Sequence, residues 1–407
     1  MAFRFHLPAA GLAALLTLTL AADVRADPFD RCLQSLRTTT AGRRIAAGTW
    51  RHLDGVRPDS AVLAQLNAQP EFTLPIWDYV AVMVDQERVD DGMRLLAEHR
   101  ELFGAVAARY RVEPEVVAAV WGIESNFGRG QGRFDVLRSL ATLSCAGRRQ
   151  RYFRGELIAA LRIVQGGHVR REDFRGSWAG AFGQTQFMPG VFWWRGVDFD
   201  GDGRRDLMSN TGDALASAAN YLKQSGWALG VPWGIEVRLP ASDSAPSAQF
   251  RGENRRTRRA LSLWQARGLT RADGAPLIAT SGDSSLTAGL FLPAGVAGPA
   301  FLVTKNFSAV YSYNAAESYT LAIVHLADRL RGDGGFLTAW PTDDPGLSRR
   351  DRRELQTLLI ARGHAIGVVD GLLLPPTRAA VRIEQRRLGM PDTGRPGQRL
   401  LASLRQP

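Results

Sequence analysis

Glu124 sits in Trp121-Gly-Ile-Glu-Ser-Asn-Phe-Gly128, near the end of an apolar stretch that Pro114 helps to start. A carboxyl held against Trp121, Ile123 and Phe127 loses hydration when it ionises, so its pKa is expected to rise. A general acid near neutral pH needs that property. Taken alone, a Glu at a helix C-terminus is more often a solvated surface group. A second segment, Ser177-Trp-Ala-Gly-Ala-Phe-Gly-Gln-Thr-Gln-Phe-Met-Pro189, combines small residues, a hydroxyl, amides and aromatics. Gly180 and Gly183 permit close backbone approach. Ser177 and Gln186 carry groups that could hydrogen-bond sugar hydroxyls or acetamido groups. The bland alternative is a tight turn with glycine packing.

A third segment is rich in acids. Asp198-Phe-Asp200-Gly-Asp202-Gly-Arg-Arg-Asp206 places oxygens at positions 1, 3 and 5 and Gly at position 6 of an EF-hand-like loop. Arg204, at position 7, could offer its backbone carbonyl. Position 12 is Ser209, where the standard loop has a bidentate Glu. Three carboxylates so close should repel without a cation, so the loop reads as a weak structural calcium site. The alternative is a solvated acidic turn. Cys32 and Cys145 are the only cysteines. In an exported chain they suggest one disulfide; two buried thiols are the other reading. No C-x-x-C pair suggests a metal.

The elements that must position these residues are mostly helical from 27 to 228. Phe153, Leu157, Leu161 and Val164 recur on one helical face, as do Leu215, Ala218, Ala219 and Leu222. The stretch 229–310 has short β-like runs, Ile235–Leu239 and Phe301–Thr304, among turn residues, and reads as a small β-containing insertion. A helix is expected over 317–331, with Tyr319, Ile323, Leu326 and Leu330 on one face. Residues 340–346 read as a linker, and 347–407 as a final unit with helices near 348–362 and 376–389. The N-terminus, 1–26, has Arg4, an apolar run and a small-residue cleavage site, Val24-Arg25-Ala26. It reads as a signal peptide, so a soluble periplasmic protein is expected; an uncleaved anchor is the alternative. No later run is long and apolar enough to span a bilayer.

In their order along the chain, these motifs resemble the lytic transglycosylase B family, glycoside hydrolases of family 103. The resemblance starts at Phe72-Thr-Leu-Pro-Ile-Trp77 and continues through the Glu-Ser and Gln-Phe-Met-Pro motifs and Asp213-Ala-Leu-Ala-Ser-Ala-Ala-Asn-Tyr221. It ends at Tyr313-Asn314 and Glu317-Ser-Tyr-Thr-Leu-Ala-Ile323. It implies a mainly α (α+β), lysozyme-like catalytic domain over 27–339. The implied reaction is cleavage of the β-1,4 bond between N-acetylmuramic acid and N-acetylglucosamine in peptidoglycan, without water, to leave 1,6-anhydromuramic ends. Ordinary glycosidases need two carboxylates; here one Glu stands out, which suits a mechanism in which Glu124 is acid and then base. By resemblance, Ser177, Gln186, Tyr313 and Asn314 line the substrate site. Asp213 stands where the family closes its calcium loop, joining Asp198, Asp200, Asp202 and Arg204. Gly190 departs from the family's usual Ser. The chemistry itself needs no cofactor. A hydrolytic muramidase and a non-catalytic wall-binding protein are the alternatives.

The last unit resembles a three-helix peptidoglycan-binding domain. Asp370-Gly371 and Thr377-Arg378 carry the likeness, while Leu374-Pro-Pro-Thr377 and Glu384 depart from its pattern. A helical dimerisation module is the alternative; a monomer is expected. The net charge of the 407 residues is +11, nearly all from arginine. From Gly346 on there are twelve arginines against five acids, so the excess gathers at this end. Peptidoglycan carboxylates offer that charge a partner, and nucleic acid is not required.

Overall fold

The computed structural model describes residues 27–67, 74–240, 250–278 and 284–406. The 1–26 targeting segment and Phe72-Thr73 of the first motif lie outside these. Helices α1 (Pro28–Arg37), α2 (Ala47–Trp50) and α3 (Ser60–Ala64) lead into α4 (Ile76–Met83), α5 (Gln86–Glu98), α6 (Arg100–Tyr110) and α7 (Pro114–Ser125). Next come α8 (Val136–Cys145), α9 (Gln150–Gln165), α10 (Pro189–Arg195) and α11 (Thr211–Gln224). Two-residue strands β1 (Phe134–Asp135) and β2 (Arg175–Gly176) pair antiparallel within this region.

Two apolar cores meet in this domain. One contains Phe103, Trp121, Phe127, Leu215, Phe307 and Leu326; the other contains Leu137, Leu140, Leu157, Phe174, Phe182 and Phe192. Tyr313 packs against both and so marks their seam. Cys32 and Cys145 form a disulfide that ties α1 to the end of α8.

The β-containing insertion has strands β3 (Gly234–Arg238), β4 (Arg259–Ala260), β5 (Thr270–Arg271), β6 (Thr287–Phe291) and β7 (Ala300–Val303), with the short α12 (Leu261–Ala266). The sheet order is β4-β6-β7-β3-β5, antiparallel throughout, over a core around Trp264, Leu290 and Leu302. It ends earlier than 310. Thr304 caps a new helix, α13 (Lys305–Asn314), whose Phe307, Ala309 and Val310 are buried in the first helical core. The expected strand run at 301–304 is there as β7, but the boundary at 310 gave too little weight to the capping Thr and to the helical spacing behind it. Helix α14 (Glu317–Arg331) follows and packs along α7.

The C-terminal unit holds α15 (Arg349–Ala361), α16 (Pro375–Arg387) and α17 (Gln398–Arg405) around Leu355, Leu359, Val381 and Leu401. Residues 340–346 do not behave as a free tether. Trp340 lies 6.3 Å from Trp77, and a Cβ at Gly346 would come within 2.8 Å of the Asp78 backbone.

Candidate active site

The residues of α7 from Val116 to Ile123 are buried on all sides, so the helix runs through the domain interior. Pro114 starts it, with a fixed φ suited to a first turn. It ends abruptly. Asn126, Phe127 and Gly128 have φ of 50°, 59° and 82°, three left-handed residues in a row. Two of them are not glycine, which is costly unless the surroundings impose it. Here they do: Phe127 N–H donates to the Trp121 carbonyl (3.2 Å), and its ring packs where Gly122 has no side chain. Glu124 lies two residues before this break, half-buried, while both its neighbours are buried.

The Gln-rich segment is fastened beneath the break. Ser125 Oγ donates to the Gln184 carbonyl (2.5 Å) and accepts from Gly128 N–H (2.8 Å). Trp121 Nε1–H donates to Gln184 Oε1 (3.0 Å). Gly183, with φ 79°, approaches the Leu207 backbone so closely that a Cβ would lie 2.7 Å from its carbonyl oxygen. Ser125 and Gln184 are therefore braces that bind the two motifs together.

An aromatic wall completes the site. Tyr319, in the first turn of α14, donates its hydroxyl hydrogen bond to Glu124 Oε1. Tyr313 donates to the Thr185 carbonyl (2.7 Å) and stacks near Tyr319, with centroids 6.4 Å apart. Tyr221 and Phe187 extend the wall, 4.7 and 5.8 Å from Tyr313. Burial, and next the Glu124 carboxylate, push both Tyr313 and Tyr319 well above the ordinary phenol value. Both therefore stay protonated as donors. Asp91 pairs with Arg94 and Arg129, and Glu317 with Arg255 (2.6 Å).

Of the residues singled out in the sequence, Glu124 and Tyr313 share this wall. Asn314 ends α13 beside Tyr313. Gln186 has φ 49°, and its amide nitrogen donates to the carbonyls of Gln131 (3.0 Å) and Gly183 (2.8 Å). Ser177 Oγ accepts from Ala181 N–H (3.0 Å) within its own turn. Gly190 has a local reason: its N–H donates to Glu156 (2.7 Å), and a Cβ there would crowd that carboxylate at 2.9 Å. In the sequence Tyr319 stands in a helical stripe and in the 317–323 motif, with no role of its own. Its hydroxyl in an otherwise apolar stripe was the available signal.

In the acidic loop, oxygens of Asp198, Asp200 and Asp202 converge within 4.8 Å of one another. The loop also satisfies itself. Asp198 accepts from Gly201 and Gly203 N–H, Asp200 from Asp202 N–H and Asp202 from Arg204 N–H. Asp213 stands apart from the three: its oxygens accept from Phe199 and Asp206 N–H, each at 2.7 Å, and its side chain is buried. It thus ties together two points of the loop.

Residues 28–328 match the family model of the transglycosylase SLT domain, and 348–404 that of a peptidoglycan binding domain. A curated relative, membrane-bound lytic murein transglycosylase B of Escherichia coli (strain K12), is 30% identical over 249 residues, 61% of this chain. The match spans 65% of that relative's length. SltB3 from Pseudomonas aeruginosa, solved with NAG-anhNAM-pentapeptide, is 46% identical with TM-score 0.73, over 93% of this chain and 99% of that one. Lytic transglycosylase SLT35 of Escherichia coli, solved with calcium, is 25% identical with TM-score 0.62, over 75% of this chain and 92% of that one.

Proposed function

This chain belongs to the transglycosylase SLT domain family, and on that premise we propose that it is a lytic murein transglycosylase that cuts peptidoglycan strands without water. The observation that carries the reading is Glu124, the carboxyl that the Tyr319 hydroxyl holds in the aromatic wall. A hydrolase that activates water with a second carboxylate needs that carboxylate across the cleaved bond.

The steps balance with one carboxyl. Protonated Glu124 gives its proton to the glycosidic oxygen as the bond from the muramic anomeric carbon breaks. The resulting carboxylate takes the proton of the same sugar's 6-hydroxyl as that oxygen bonds to the anomeric carbon. The 1,6-anhydro product forms, and Glu124 returns to its starting state. The attacking oxygen belongs to the sugar already bound, which gives it the advantage of proximity over water. Tyr319 stays a donor throughout and fixes the rotation of the carboxyl. Ser177, Gln186, Tyr313 and Asn314 position the sugar, the first two partly by holding the turns on which they sit.

The acidic loop suits a hard cation: Asp198, Asp200 and Asp202 converge, and the Arg204 carbonyl can join them. A calcium ion held there would brace the start of α11, with Asp213 anchoring the loop from inside. Residues 1–26 support export, and the periplasm is the compartment in which this substrate lies. Among the described residues no helix is long and apolar enough to cross a membrane. The 348–404 unit would hold the wall. Mass spectrometry of digested sacculi tests the reaction: anhydromuramic ends are expected, and reducing muramic ends would overturn it.

A further inference from the structure

The C-terminal unit is fastened to the main domain by its arginines. Arg349 reaches Asp85 with Nε (2.6 Å) and Nη2 (3.1 Å), and its Nη1 donates to Asn126 Oδ1 (2.9 Å). Arg395 grips Asp78 in the same two-pronged way, at 2.6 and 2.8 Å. Arg353 reaches Glu87 at the rim. The side chains of Asp85 and Asp78 are only 2% and 5% exposed. A carboxylate so far from water needs a fixed cation beside it. Asp85 also caps α5 through Arg88 N–H (2.9 Å). The main domain thus buries two acids whose arginine partners are supplied by the other unit, and the short connection at Gly346 leaves no slack.

One prong goes further than docking. Asn126 is the first residue of the left-handed break, two positions after Glu124. Its carboxamide, aimed at Arg349, holds the outer side of a turn whose inner side Ser125 and Gln184 hold. We propose that Arg349 is a positioning residue for Glu124, so that the docked C-terminal unit sets the geometry of the acid as well as contacting the wall. This rests on Glu124 being the acid. Arginine suits the task because its rigid planar fork holds two acceptors in a fixed geometry, where a lysine offers one compact ammonium on a flexible stem.

The test uses the full chain and a soluble, purified glycan strand of a few disaccharides, short enough that wall anchoring plays no part. Asn126→Gly keeps the left-handed backbone and removes only the carboxamide. It is expected to lower kcat roughly 10-fold at unchanged KM, in line with the cost of small misplacements. Arg349→Lys is expected to keep the unit docked by small-angle scattering and to show the same fall in kcat. The double variant is expected to fall no further, because both changes remove one contact. Arg353→Ala, which touches only the rim, is expected to keep wild-type kcat. Wild-type kcat in both Asn126→Gly and Arg349→Lys would overturn the proposal, as would a loss confined to KM or to sacculus binding. Glu124→Gln assayed alongside separates the two readings: if it stays active, the acid assignment fails; if it is inactive while Asn126→Gly is normal, only the positioning role fails.

Discussion

Two sets of carboxylates in the main domain are held in opposite ways. The acids of the 198–213 loop take hydrogen bonds from backbone N–H groups of the same loop, as Asp198 does from Gly201 and Gly203 and Asp213 from Phe199 and Asp206. Glu124 takes its phenol from a residue 195 positions along the chain, and its turn is braced by Gln184 and by Arg349 of another unit. A locally held acid can form wherever its own few residues are present. A remotely held acid exists only when the whole fold is assembled, which is what a reaction requiring fixed geometry demands.

Breaking the remote set should produce the largest effects. Glu124→Gln should leave the melting curve unchanged and lower strand cleavage by about 10²–10⁴-fold, the range for losing general acid–base catalysis. Tyr319→Phe removes only the hydroxyl. A hydrogen bond to a charged group contributes about 1.5–3 kcal/mol, so kcat should drop about 10–100-fold with the fold intact. An unchanged kcat would mean that the phenol does not orient the acid. The local set should respond in stability instead. Asp213→Ala strands the Phe199 and Asp206 N–H groups and should cost about 1–3 kcal/mol in urea unfolding. Calcium should raise the melting temperature of the wild type and not of Asp202→Ala; equal shifts would remove the cation from the loop.

A further acid, the half-buried Asp328, gives the smallest and sharpest check. Asp328 accepts from Trp233 Nε1–H (2.7 Å), and burial raises it to about 6. Its folded form binds a proton more readily than the unfolded chain, so it contributes stability at low pH that is lost as pH rises towards 6. His325, one turn earlier, is lowered to about 4 by burial and Arg329. Its contribution has the opposite sign: it is lost as pH falls from the ordinary histidine range towards 4. The two should nearly cancel between pH 4 and 6. Asp328→Asn should uncover the histidine, giving stability that rises with pH over that interval in urea melts.

The sequence showed what was local. Glu124, its apolar helix and the glycines of the second motif could be read from order and spacing. So could α14, from its helical stripe. Tyr319 could not be paired with Glu124, because nothing near either residue encodes a contact across 195 positions. The arginine excess after Gly346 suggests a face for the acidic wall. Arg349, Arg353 and Arg395 instead face Asp85, Glu87 and Asp78 of the main domain. Asp78 and Asp85 flank the apolar run 79–84, which signals burial, but nothing in that run names an arginine more than 260 residues away as their partner.

The distance between Glu124 and Tyr319 also orders events in time. A ribosome delivers the chain from its N-terminus, so the acid emerges long before its phenol. Any nascent or prematurely terminated chain that stops short of α14 carries Glu124 without the hydroxyl that orients it. On the proposed function, a wall-cutting enzyme therefore acquires its blade only once α14 has been made.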